Sequence, residues 1–236
     1  MNKAQTIYDF LSRFEESLNS GHEARIIFKN ALNIDTTNRY EILRLRSKLA
    51  EYVYELADFI ENQHGELKLG SSWSTAIIDL LSCSLELNNA QLQALAKELF
   101  PYGKLSLGLL VSLTNQTLIK HENVTKEQLE IIRDQADELI DSLLNSNLHS
   151  DVKSYMVKQL RKLIDGIDYY QIYGNEGLLE ILEESLGHTL TNKNYQEYMK
   201  NEESNKWRVF LNDVSTTLAT SESLLSIGMT LQKFIS

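Results

Sequence analysis

A single proline, Pro101, stands in this chain of 236 residues, where an average sequence would carry about 5%. Proline has no amide hydrogen, and its ring clashes with the carbonyl one turn back, so helix interiors exclude it. A chain almost free of it, and rich in Leu and Glu, is able to run in long helices. The apolar spacing agrees from the start. Ile7, Phe10, Leu11, Phe14 and Leu18 share one helical face, which Gly21 ends. "ARIIFKNAL" follows and breaks at "DTTN". Residues 38–64 then form the longest clear pattern of the first half, with Asn38 as N-cap, Glu41 three residues on and Gly65 as the stop. Its stripe is Ile42, Leu45, Leu49, Tyr52, Val53, Leu56, Phe59 and Ile60.

Three segments, 73–87, 90–100 and 105–119, are apolar on most sides, which predicts a central position. Asn88 and Asn89, and then "FPYG", are the expected connections. Thr125 and Gln128 spell a capping box, and Ser150 or Asp151 opens a further helix. A short helix over 176–186 closes at Gly187, residues 188–205 read as a polar linker, and 207–235 form an amphipathic end. No strand pattern and no fixed-period repeat appear. The expected fold is all-α: a multi-helix bundle or array of about ten helices with a central apolar helical core at residues 73–119. It divides into an N-terminal half, 1–120, and an acidic C-terminal half, 121–236, read as one continuous domain.

The formal net charge of −10 argues against direct nucleic-acid binding, which needs a basic face to displace counterions from phosphates. It argues equally against anionic membranes, and no apolar run reaches the roughly 18 residues of a spanning helix. One cysteine, Cys83, permits neither an internal disulfide nor a cysteine-only metal site, so the expected location is the cytoplasm. The charge is uneven. Residues 120–190 hold fourteen acids and seven bases, a net −7 of the total −10.

Two stretches stand out. In "IDGIDYYQIYGNEG", residues 164–177, the stripe of Leu160, Leu163, Ile164 and Ile167 fails at Gln171, and Gly174 and Asn175 supply turn chemistry. This reads as a corner between two helices, with Tyr169 and Tyr173 four apart as an edge for a partner. A DNA-reading helix-turn-helix is excluded, because the second helix carries Glu176, Glu180, Glu183 and Glu184 and no Lys or Arg. The second stretch lies over 127–144. Leu129, Ile132, Ala136, Leu139, Ile140 and Leu143 make its core face, while Glu127, Glu130, Asp134, Asp137, Glu138 and Asp141 cluster opposite. Carboxylates turned away from the core do not make the enclosed magnesium site of an isoprenoid-synthase helix. They make a solvated face or an acidic ridge for a basic partner.

Other chemistries lack their residues. Glu61 and His64 form one Glu-x-x-His, but a di-iron bundle needs two and further glutamates. No arginine has a histidine four to six residues on, as helical HEPN-type ribonucleases require, and "SDVK" is better explained by an N-cap at Ser150 than by a Ser-x-x-Lys site. Phosphate-binding and nucleophile-elbow glycine patterns are missing. The expectation is a non-enzymatic interaction protein without cofactor or metal: an adaptor, inhibitor or immunity protein, or accessory subunit, of a bacterial toxin or phage-defence system. Its partner is another protein with a basic surface. The amphipathic C-terminal stripe allows a homodimer, and the alternative is an enzyme or ligand-binding regulator whose site draws on distant positions such as Glu61, His64 and Asp165.

Overall fold

Helix follows helix from Lys3 to Leu218 in the computed structural model, which describes residues 2–63, 72–117 and 124–218. Among the described residues there are eleven α-helices and one 3-10 turn, and no strand. The chain divides into two compact units, Met1–Lys120 and His121–Ser236.

The first unit holds α1 (Lys3–Leu18), α2 (Ala24–Leu32), α3 (Arg39–Gln63), α4 (Ser72–Ser82) and α5 (Asn89–Thr117). Asn2 caps α1 by accepting from the Ala4 and Gln5 amides. Gly21, at φ 74°, turns the chain after α1, and Asn33, at φ 54°, does so after α2. The Asn38 carboxamide accepts from the Tyr40 amide at the start of α3, as expected. Helix α1 packs against α2, α3 and α5 at once, and α4 lies on α3 and α5. Residues 73–117 thus share the core of this unit with α1 rather than forming it alone. Phe10 and Phe14 of α1 meet Phe28 of α2 and Phe100 of α5 at centroid distances of 5.2 to 6.4 Å. Burying a side chain of this size contributes about 1.5–3 kcal/mol.

Two expectations are corrected here. "FPYG" is not a connection, because α5 continues through Pro101 as one helix of 29 residues. Proline removes one ladder bond and costs about 3 kcal/mol in a helix interior. Leu92, Ala96 and Leu99 before it, and Leu107 and Leu110 after it, are all buried, and that burial outweighs the cost. Nor is α5 buried wherever it is apolar, as segments apolar on most sides predict: Leu105 and Leu109 are exposed. The polar residue the periodicity passes over is Arg46 of α3, only 1% exposed. Its guanidinium stacks 4.1 Å from the Phe28 ring. It donates to the carbonyls of Leu81 (2.6 Å), Cys83 (2.6 Å) and Leu80 (3.3 Å). Those carbonyls lie at and just past the end of α4, the Leu80 oxygen being shared with the Cys83 amide, and their partial negative charge takes the place of a carboxylate.

The second unit holds α6 (Lys126–Leu144), α7 (Ser150–Asp168), the single turn α8 (Tyr170–Tyr173), α9 (Glu176–Thr191), α10 (Lys193–Lys200), a 3-10 turn (Glu202–Ser204) and α11 (Asn205–Leu218). Helix α6 packs on α7 and α11, α7 on α9 and α10, and α9 on α10 and α11. The expected linker at 188–205 is instead the end of α9, all of α10 and the 3-10 turn. Helix α10 is polar on one side only. Tyr195, Tyr198 and Met199, at i, i+3 and i+4, are buried, and the Trp207 indole donates to the Tyr195 hydroxyl at 2.6 Å. Gly187 likewise does not stop α9, which runs on to Thr191. The tail that was expected to continue to 235 is described as far as Leu218, and His64 and Gly65 also lie outside the described residues.

The corner at 164–177 uses its three glycines in two ways. Gly174, at φ 56°, makes the turn after α8. Gly166 of α7 and Gly177 of α9 bring two helix backbones together: a Cβ on Gly177 would lie 3.3 Å from the Gly166 Cα.

Candidate functional site

The capping box at the start of α6 fixes the rotation of that helix. The Gln128 amide donates to the Thr125 hydroxyl at 3.3 Å, and the Thr125 amide donates to the Gln128 side chain at 2.9 Å. Leu129, Ile132, Ala136 and Leu143 are buried, with Leu139 and Ile140 packed beside them. At 3.6 residues per turn the opposite face must then hold the carboxylates. Glu127, Glu130, Asp134, Asp137, Glu138 and Asp141 are all exposed.

Ile131, which the sequence reading did not single out, sits in that face at 59% exposure. It falls in line with Glu127, Asp134 and Glu138 along the helix, so one large apolar side chain projects from the edge of the acidic face, flanked on its other side by Gln128 and Gln135. Two acids are answered from the same helix. Lys126 lies 3.5 Å from Glu130, and Arg133 lies 3.0 Å from Asp137 while donating to Asp168 at 2.9 Å. Exposed pairs of this kind contribute about 0–1 kcal/mol, so they do not commit the face. Glu138 and Asp141 make no ion pair among the described residues. A groove of 330 Å³ runs beside the ridge between α6 and α11, with Leu139, Val209 and Phe210 as its apolar wall, Glu138 and Asp213 as its acids and Lys206 as its one cation.

Tyr169 and Tyr173 are each half-buried. Tyr169 occupies the break between α7 and α8, and Tyr173 lies over Gly177, whose added Cβ would meet the tyrosine Cβ at 3.4 Å. The tyrosine that organises the corner is Tyr170. Its hydroxyl donates to the Asn175 carboxamide at 2.5 Å and accepts from the Val124 amide at 3.2 Å, which pins the start of α6 to the α8–α9 turn. Spacing gave no sign of this, since both partners lie off the helix that carries Tyr170.

A polar cluster lies between α7, α9 and α10. The Tyr155 ring stacks on His188 at 3.6 Å, and Tyr195 meets both edge-on at 5.2 and 5.0 Å. Burial pushes the Tyr155 hydroxyl up to about 12 and raises that of Tyr195 as well, so both are donors at neutral pH and neither is a base. Burial lowers the pKa of His188, which keeps the imidazole neutral. Gln159 and Lys162 of α7 donate to Glu184 of α9 at 2.5 and 2.7 Å, closing this side with charge-assisted bonds.

No protein-family model, curated protein or solved structure matches this chain. Its own geometry is therefore the basis for a functional reading. Among the described residues no three of His, Cys, Asp and Glu converge to hold a metal ion, and no helix is long and apolar enough to cross a membrane. The remaining candidates are scattered. Glu61 is exposed near the end of α3, Ser150 is the first residue of α7 rather than its cap, and Asp165 lines a separate groove on α7. Cys83 is half-buried against Arg46, and burial raises its thiol pKa despite that cation.

Proposed function

We propose that this chain is a non-enzymatic interaction protein whose α6 ridge docks a basic surface of another protein. One observation carries the reading: Ile131 stands exposed at the edge of a face of six exposed carboxylates. An apolar anchor within a charged surround is the arrangement in which steering and affinity separate. The acids raise the rate of encounter and select a basic partner, and the anchor supplies buried area on contact. The groove beside the ridge extends that contact surface. A reducing, cytoplasmic setting fits a single thiol held half-buried. Within that setting the roles that suit it are adaptor, inhibitor or immunity protein, or accessory subunit of a bacterial toxin or phage-defence system.

The test is co-purification from the native host at low and at high salt. The comparison is between the wild-type chain, Ile131→Asp, and a triple reversal of Glu130, Asp134 and Glu138 to Lys. All four positions are exposed, so folding should be unchanged within about 0.5 kcal/mol. A stoichiometric companion is expected with the wild type at low salt, lost at high salt and with both variants. A companion that persists on the reversed ridge would end this reading.

A further inference from the structure

The unit that carries the acidic ridge also carries a groove of the opposite character. It has a volume of 620 Å³ and runs along α7 beside the end of α6, within the range of about 300–1,000 Å³ typical of small-molecule sites. Four cations line it, Lys153, Lys158, Arg161 and Lys162, against one acid, Asp165. The outer two cations have partners of their own. Lys153 donates to the Ser146 and Leu144 carbonyls at 2.6 and 3.4 Å, capping α6, and Lys162 lies 2.7 Å from Glu184 and 3.3 Å from Glu180. The inner two, Lys158 and Arg161, are exposed and make no ion pair among the described residues.

Lys158 and Arg161 stand one turn apart on α7, with Cβ atoms about 5–6 Å from each other. Ser154 lies one turn before Lys158 in the same groove and adds a hydroxyl. An ammonium, a guanidinium fork and a hydroxyl on consecutive turns match a tetrahedral dianion with three free oxygens, which a phosphomonoester is above its second pKa of about 6. The floor is apolar. Leu144 is 53% exposed, Leu148 is half-buried and Val157 is buried. A bare anion would leave that floor wet. We propose that this groove binds a small organic phosphate, a phosphomonoester with an apolar substituent, its phosphate on Lys158, Arg161 and Ser154 and its substituent over Leu144 and Leu148. The site is independent of the α6 ridge.

The test is calorimetric titration of the full-length protein with hexyl phosphate and with inorganic phosphate. Four proteins are compared: wild type, Lys158→Gln with Arg161→Gln, Leu144→Ser, and Lys193→Gln with Lys200→Gln as a charge-matched control on α10. Hexyl phosphate is expected to bind the wild type roughly tenfold more tightly than inorganic phosphate, the gain that burial of a few methylenes supplies. The Lys158/Arg161 pair should lose at least about tenfold for both ligands. Leu144→Ser should lose only the hexyl advantage, and the control should bind as wild type. Circular dichroism confirms folding for these exposed positions. The proposal is overturned by no binding to the wild type, by equal loss in the control pair, or by equal affinity for the two phosphates. Vesicles containing phosphatidic acid provide the last arm. Co-sedimentation that depends on Lys158 and Arg161 would assign the phosphate to a lipid headgroup and overturn the small-molecule assignment.

Discussion

Arg46 shows how a charge becomes a core residue. Its three bonds go to backbone carbonyls at the end of α4, so what it neutralises is a helix terminus. Arg46→Met should leave the Leu81 and Cys83 carbonyls without this donor and lower stability by about 3 kcal/mol, read as a shift in the urea midpoint. Arg46→Lys should recover little of it, because an ammonium lacks the fork. A midpoint equal to wild type for Arg46→Met would show that α4 ends without help from this residue. In the second unit the pH dependence has a definite sign. Burial holds His188 below its ordinary 6.5, so the unfolded chain takes up that proton more readily than the folded one. Its contribution is therefore intact above 6.5 and lost as pH falls below it. Asp151 acts at lower pH. Hydrogen bonds from Asn194 first, and from His149 and the Val152 amide, hold its carboxyl at about 2 rather than 3.8. Its contribution is present above 3.8 and disappears between there and about 2. Urea midpoints taken from about pH 8 down to about pH 5 should fall for the wild type and fall less for His188→Gln. Parallel curves would assign the acid sensitivity to another group.

Among the helices, glycine has opposite meanings at two places in α9. Gly177 faces the α7 backbone, so a branched side chain there must push two helices apart. Gly177→Val is expected to cost about 1–3 kcal/mol. Gly187 is helical and meets nothing within 4 Å of an added Cβ. Gly187→Ala should therefore raise stability by about 0.5–1 kcal/mol through helix propensity and the loss of unfolded-state freedom. The two variants measured together test the crossing itself. Should both shift the urea midpoint the same way, the close approach of α7 and α9 would be wrong. The same contrast explains why 188–205 escaped a reading by composition. Lys, Asn, Gln and Glu dominate the stretch, yet three residues on one side of α10 are enough to bury it.

For the whole molecule, a net charge of −10 sets a background that favours basic partners and disfavours anions. Local arrangement then works within that background. The α6 ridge adds six carboxylates to it, while the α7 groove reverses it over two turns of helix. At physiological salt, screening confines each effect to about 8 Å. A ridge and a groove of opposite sign can therefore act separately in one unit. The capture of a companion through the ridge should accordingly weaken steeply with salt, whereas binding in the groove should lose less when part of it rests on Leu144 and Leu148.

Sequence by itself determined what depends on neighbours along the chain. The all-α class, the capping box of Thr125 and Gln128, the Asn38 cap and the outward rotation of the α6 acids follow from a 3.6-residue period and from side chains reaching their own backbone. The corner at 164–177 was legible for the same reason, since a positive φ and a lost stripe are local events, but Asn175, expected to cap α9, makes no side-chain cap bond and accepts from Tyr170 instead. Tertiary structure decided the rest. Whether Pro101 breaks α5 depended on burial on both sides of it, and whether Arg46 is surface or core depended on where α4 ends. Tyr170 ties the corner to the start of α6 because Val124 and Asn175 converge on its hydroxyl. Lys158 and Arg161 stand out because neighbouring elements claim Lys153 and Lys162 and leave them uncommitted. Each outcome rests on groups distant in sequence meeting within a few ångströms, and no period or spacing encodes that meeting.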